Sequence, residues 1–278
     1  MSVFLEKINI NHTILYGGEH FAPTVGKMVH VGGIQFQMDA GCQEGPNAFL
    51  IPFPAKPLRM WDENIITLRS CPHVLLDMEQ ALQDIQDSPP TQPVVHMKAN
   101  VFDAGMYTIV FLHSKNVLPE LLPFIPEARR PKRDHHLLID QFIKGYPGWT
   151  FALYCFDTRD SVRAEPIMWW YEPTNPELLF VPGLHAGDGT LPSLTQPVRT
   201  HHTITLCSDL RNQKQGKEIH YRDQIPEELL WMLPPDVIGG KNNGEYAQNG
   251  DFLYNIQDIR AGRVKQYLRW PTSMNAIL

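Results

Sequence analysis

The sequence predicts an α+β protein whose core is an antiparallel or mixed sheet, with a few short helices around it. Strand-like runs outnumber helix-like runs along the chain. The connections between them are mostly short. The composition supports a sizeable core: 43% of the 278 residues are hydrophobic and 19% are charged, which argues against disorder of the chain as a whole.

Ile34, Phe36 and Met38 alternate with polar neighbours, as on a half-buried strand. Asn47 to Phe53 is apolar and runs out into Pro52 and Pro54, so it reads as a strand ending in a loop. A helix is expected from about Pro72 to Gln86. Val74, Met78, Ala81, Leu82 and Ile85 fall at helical spacing, Ser70 can cap the helix, and Asp77 and Gln80 lie on its polar face. Asp87 to Pro93 then breaks the chain. Val94 to Lys98 and Met106 to His113 read as strands joined through an Asp103-Ala-Gly105 turn.

Val117 to Ile125 reads as a short helix. Asp134 can cap a second one, which carries Leu138, Ile139, Phe142 and Ile143 and ends at Gly145. Trp149 to Phe156 is apolar on both faces, as a central strand is. Further strands are expected at Ile167 to Tyr171, Leu178 to Val181 and Thr200 to Cys207. Beyond Asp209 the composition changes. A polar loop from Arg211, a short helix over Ile225 to Leu233 and a terminal hairpin of Phe252 to Ile256 with Val264 to Leu268 are expected. Gly239 to Gly250 holds four glycines and three asparagines and reads as a mobile surface loop. These features divide the chain into a main domain, 1–209, and an appendage packed on it, 210–278.

A net charge of −6 gives no electrostatic footprint for nucleic acid. The basic run Arg129, Arg130, Lys132, Arg133 reads as a solvated loop. No run of 18 apolar residues suggests a membrane helix, and Met1 to Ile10 lacks the pattern of a signal peptide. Cys42, Cys71, Cys155 and Cys207 are scattered without CxxC or zinc-finger spacing and read as free thiols. A cytoplasmic protein is therefore expected.

Several segments, taken in order, have a familiar pattern: Asn47 to Pro54, Val101 to Tyr107, Leu118 to Pro126, Tyr146-Pro-Gly-Trp-Thr-Phe151, Pro166 to Tyr171 and Leu179 to Pro182. Together they resemble an uncharacterised bacterial family known only as a domain of unknown function, number twenty-three-thirty, over roughly residues 34–207. The resemblance implies a fold and no catalytic residue.

The densest polar cluster is Leu184-His-Ala-Gly-Asp-Gly189, followed by His201-His202. His185, Asp188 and His202 form a donor set suited to zinc or another first-row transition metal. They could meet if the strands ending near Pro182 and beginning near Thr200 are neighbours. Strand alternation sets His202 with Ile204 and Leu206, and His201 on the other face. The plainer reading is a surface turn and two strand histidines. Asp134-His135-His136 reads as a helix start, and His73 as a first-turn residue. Trp169-Trp170-Tyr171 could offer a stacking platform for sugars or bases, with core packing as the simpler reading. Asp62 and Glu63 are adjacent and point apart.

No coherent catalytic motif is present. The leading expectation is a non-catalytic binding or assembly module with an unidentified protein partner or small ligand, no cofactor, and neither nucleic acid nor membrane as partner. The alternative is a metal-dependent hydrolase or other metalloprotein built on His185, Asp188 and His202.

Overall fold

The structure is a computed structural model that describes residues 3–39, 45–83, 101–112, 118–133, 135–211 and 216–271. Its strands form three sheets. The first has five strands in the order β1-β4-β8-β7-β6: β1 (Val3–Phe4), β4 (Pro46–Phe53), β8 (Thr150–Asp157), β7 (Tyr107–Leu112) and β6 (Val101–Ala104). All its pairings are antiparallel.

The second sheet has seven strands in the order β12-β13-β11-β2-β3-β9-β5. They are β12 (Lys217–Glu218), β13 (Asp236–Gln248), β11 (Pro197–Ser208), β2 (Ile10–Ala22), β3 (Lys27–Met38), β9 (Ile167–Tyr171) and β5 (Ile65–Thr67). β11 runs parallel to β2, which makes the sheet mixed. The third sheet orders β10 (Leu178–Val181), β14 (Asp251–Asn255) and β15 (Leu268–Trp270).

Period-two alternation explains how the sheets stack. Phe49, Ile51 and Phe53 of β4 and Tyr154 and Phe156 of β8 share one buried cluster with Leu15, Ile34, Phe36, Trp169 and Tyr171 of the seven-stranded sheet. The main core therefore lies between the five- and seven-stranded sheets. The third sheet contributes Leu179, Val181, Phe252 and Tyr254 to it. On the outer side of the seven-stranded sheet, Ile14, Tyr16, Val29, Val31 and Met168 meet helix α1 (Val74–Ala81) and the 3-10 turn Glu227–Met232. On the outer side of the five-stranded sheet, Leu50, Val110, Leu153 and Cys155 meet α2 (Leu118–Leu121) and α3 (His136–Lys144). A short α4 (Ile256–Arg260) follows β14.

The expected strands at Asn47 to Phe53, Trp149 to Phe156, Ile167 to Tyr171 and Leu178 to Val181 fall at β4, β8, β9 and β10. The Asp103-Ala-Gly105 turn joins β6 to β7, with Gly105 at a φ of 67°. Its expected strand at Val94 to Lys98, the break after Gln86, Asp134 and Cys42 lie outside the described residues.

Three expectations are corrected. Gly239 to Gly250 is not a mobile loop: most of it belongs to β13, which pairs with β11 from Leu206↔Ile238 to Pro197↔Gln248. The glycines suit the strand because a Cβ at Gly239 would lie 2.0 Å from the Ile204 carbonyl oxygen. Ser70 makes no cap for α1. Its N-terminal residue is His73, whose backbone N–H donates to Asp223 Oδ2 at 2.8 Å. Asp77 does not face water: it is buried and accepts a 2.5 Å ion-paired bond from Arg222 Nε. Residues 216–271 hydrogen-bond into two sheets, through β13 on β11 and β14 on β10.

Candidate functional site

His185 and Asp188 sit in the turn that follows β10, held in place by two buried side chains further along the chain. The backbone N–H groups of Gly183 and Leu184 each donate to Asp251 Oδ1 at 2.7 Å. Tyr146 Oη donates to Asp251 Oδ2 at 2.5 Å. The His185 N–H donates to Asn249 Oδ1 and Asn249 Nδ2 donates back to the His185 carbonyl, both at 2.8 Å. Asp251 is fully buried, and desolvation pushes its carboxyl up to about 6 despite the donors from Tyr146, Leu184 and Gly183. In sequence Asn249 falls in the expected loop, and Asp251 carries no signal of its own. They organise the site, a role that only their long-range partners reveal.

The glycines of this turn serve packing. A Cβ at Gly187 would lie 2.8 Å from the Ile8 carbonyl oxygen, and one at Gly189 2.7 Å from that of Leu5. They admit the amino-terminal backbone, which hydrogen-bonds back through Phe4 N–H to Ala186 O and Ile8 N–H to Gly187 O.

The three predicted ligands do not share one pocket. Asp188 is exposed, and its Oδ1 accepts from the backbone N–H of Thr190 at 3.0 Å and its hydroxyl at 2.7 Å. This is a local Asx-type turn. His185 is half-buried, with Nδ1 lacking a hydrogen-bond partner among the described residues. It and Asp188 line an open cavity of about 410 Å³. His202 lies on β11, only 2% exposed, and lines a different cavity of about 320 Å³. The condition for their meeting is not met, because β10 pairs with β14 rather than with β11. Among the described residues no three His, Cys, Asp or Glu side chains form a metal-holding group. The two imidazoles still sense each other: burial, and to a smaller extent the charge of His185, hold His202 well below its ordinary value. Burial likewise pulls His185 down to about 4, with Asp188 opposing.

The His202 cavity lies between the seven-stranded and the three-stranded sheets. Alternation puts His202, Ile204 and Leu206 on the face toward the main core, as the sequence predicts, and sends Thr203 the other way to donate to Glu79 of α1. The opposite wall is aromatic. Phe252 and Tyr254 project from one face of β14 and stack with centroids 6.0 Å apart. Tyr267 meets both edge-on or tilted, at 5.0 and 5.6 Å. Arg269 pairs with Phe252 across the β14–β15 ladder, which lays its guanidinium 3.9 Å from the Phe252 ring centroid. The His202 ring meets Phe252 at 6.5 Å. Its Nε2 is buried and has no hydrogen-bond partner among the described residues. The rim is open beside Gly240, where a Cβ would touch nothing within 4 Å. The alternations Phe252-x-Tyr254 and Tyr267-x-Arg269 were the available sequence signal, but only strand pairing makes them a wall.

The remaining polar motifs are structural. His135 Nε2 hydrogen-bonds Glu6 Oε1 at 3.0 Å. Trp169 and Tyr171 are buried against Phe53 and offer no sugar platform, while Trp170 packs on Trp231 outside. In the basic run, Arg129 pairs with Asp103 and Arg130 caps the Ile125 carbonyl. Cys71, Cys155 and Cys207 are buried and free, and burial raises all three thiols, Cys71 to about 11 and Cys207 to about 12. None is an activated nucleophile.

Among the described residues no helix is long and apolar enough to cross a membrane. The fold and site define an α+β protein of stacked sheets with a ligand-sized cavity between two of them. No family model matches the chain, and no curated protein matches it. A solved structure, the crystal structure of baculovirus P35, is similar to it with a TM-score of 0.41 and 12% sequence identity, covering 92% of each chain.

Proposed function

We propose that the protein is a non-catalytic binding module whose ligand occupies the inter-sheet cavity beside His202. The observation that supports this is the buried His202 Nε2, which lacks a partner in the wall of an aromatic cavity. A buried polar atom left unsatisfied costs about 1–3 kcal/mol, and a bound ligand that hydrogen-bonds to it removes that cost. The volume of about 320 Å³ falls within the range of small-molecule sites. Neither a thiol nor a carboxylate lines the cavity among the described residues, which favours binding over reaction.

The test is an NMR titration of the full chain with small aromatic fragments, followed through the His202 ring resonances. Saturable shifts that disappear in His202→Gln support the reading. Fragments that leave those resonances unmoved at millimolar concentration would remove it.

A second reading, a metalloprotein, draws on the unpartnered His185 Nδ1 together with His202 Nε2. It requires Asp188 to give up Thr190 and the two cavities to merge. Elemental analysis with zinc, manganese or iron decides it: stoichiometric metal lost in both His185→Ala and His202→Ala would establish a centre and displace the binding-module reading.

A further inference from the structure

Resting on the binding-module reading above, we infer that the inter-sheet cavity takes a small flat aromatic anion, a ring bearing one carboxylate or phosphate group.

The charge of the lining sets the sign. No Asp or Glu lines the cavity, whereas Lys265 and Arg269 do. Neither of these cations forms a carboxylate ion pair among the described residues, although the charge of buried Asp251 acts on Arg269. Lys241 belongs to the rim only through its backbone, since its ammonium approaches Glu79 Oε1 at 3.6 Å on the opposite face of the sheet. Asp251, the nearest buried acid, is committed to Gly183, Leu184 and Tyr146. Arg269 is half-buried and anchored by a 2.6 Å bond from Nη1 to the Gly250 carbonyl. A desolvated guanidinium fixed in this way is pre-organised for an oxyanion, because its planar fork matches two oxygens at once.

The aromatic wall sets the shape. Phe252 and Tyr254 stack with only 16° between their planes, and Tyr267 closes one side. An unoccupied aromatic cage of this kind suits a cationic ligand. Here that position is filled from within, by Arg269 over Phe252, so a second cation would be repelled. What remains is an aromatic-walled cavity with positive charge at one end and the neutral His202 imidazole in its lining. Neutral imidazole carries one donor and one acceptor, so Nε2 can meet a ring heteroatom or hydroxyl of the ligand in either tautomer.

The experiment titrates the full chain with benzoate, phenyl phosphate and benzamide, by calorimetry and by the His202 ring resonances. Benzoate and phenyl phosphate are expected to bind and shift His202, with benzamide weaker by about ten-fold or more, the value of one charge-assisted hydrogen bond. Arg269→Gln should weaken benzoate about ten-fold or more. Lys265→Gln, an exposed change that leaves the packing intact, should weaken it by about three-fold. Both changes should weaken benzamide less than benzoate. Benzamide binding as tightly as benzoate while shifting His202 overturns the anion assignment and leaves the cavity reading standing. A His202 signal that none of the three probes moves overturns both.

Discussion

Tyr16 and His20, four residues apart on β2, join side chains across the bare backbone of Gly18. Even-numbered residues of β2 share the outer face of the seven-stranded sheet, so 16, 18 and 20 stand in a row. The Tyr16 hydroxyl and His20 Nε2 share a hydrogen bond, and His20 Nδ1 bonds Asp209 Oδ1 at 2.8 Å. Burial alone would raise Asp209, but its bond and charge interaction with His20 and the Phe21 N–H outweigh it and hold the carboxyl low. The relay fastens β2 to the end of β11.

A side chain at position 18 would break this contact. A Cβ there would lie 2.3 Å from the Tyr16 hydroxyl oxygen and 2.5 Å from His20 Nε2. Gly18→Ala should therefore destabilise the protein by about 2–3 kcal/mol, within the cost of overpacking. Tyr16→Phe removes the obstructing oxygen, so the double variant should be more stable than the sum of the two single changes predicts. Urea unfolding of the four proteins checks this. Strict additivity would show that the hydroxyl and the glycine are not coupled.

Asp251 and His185 should pull stability in opposite directions with pH. For Asp251 the folded value of about 6 lies above the unfolded 3.8. The folded state then binds the proton more tightly, so stability falls by about 3 kcal/mol as pH rises from below 3.8 to above 6. For His185 the folded value of about 4 lies below 6.5, so stability is full above 6.5 and is lost as pH falls toward 4. His30, also lowered to about 4 by burial, acts in the same direction as His185. Asp251→Asn should steepen the gain in stability between pH 4 and 6, and His185→Gln should flatten it. Unfolding midpoints that follow one common pH curve in all three proteins would refute the assignment.

His202→Phe should leave the fold as stable or more stable, by up to about 2 kcal/mol. It replaces an unsatisfied buried imidazole with an apolar ring of similar size, next to Phe252. The same change should abolish aromatic-fragment binding. A loss of stability above about 2 kcal/mol would instead mean that His202 holds the fold together.

Cys71, Cys155 and Cys207 should resist thiol reagents in the native protein and react after unfolding. Each is buried with its thiolate disfavoured. Mass spectrometry after brief labelling with and without denaturant counts them by peptide. Rapid native labelling at any of the three would contradict their burial.

Local pattern by itself determined much of this protein. Apolar runs located β4, β8, β9 and β10, and alternation put His202 on the face of Ile204 and Leu206, because a strand's side chains repeat every two residues whatever it pairs with. The α+β class followed from the balance of those signals. Pairing was decided only in three dimensions. Gly239 to Gly250 carries the composition of a loop, yet the β11 ladder satisfies its backbone and makes it a strand, because hydrogen bonds to a neighbour outweigh a weak local preference. For the same reason His185, Asp188 and His202 look like one cluster along the chain and line two cavities in the fold. The cavity wall of Phe252, Tyr254, Tyr267 and Arg269 exists because β15 docks beside β14, and sheet register, unlike side-chain period, is a property of two segments at once.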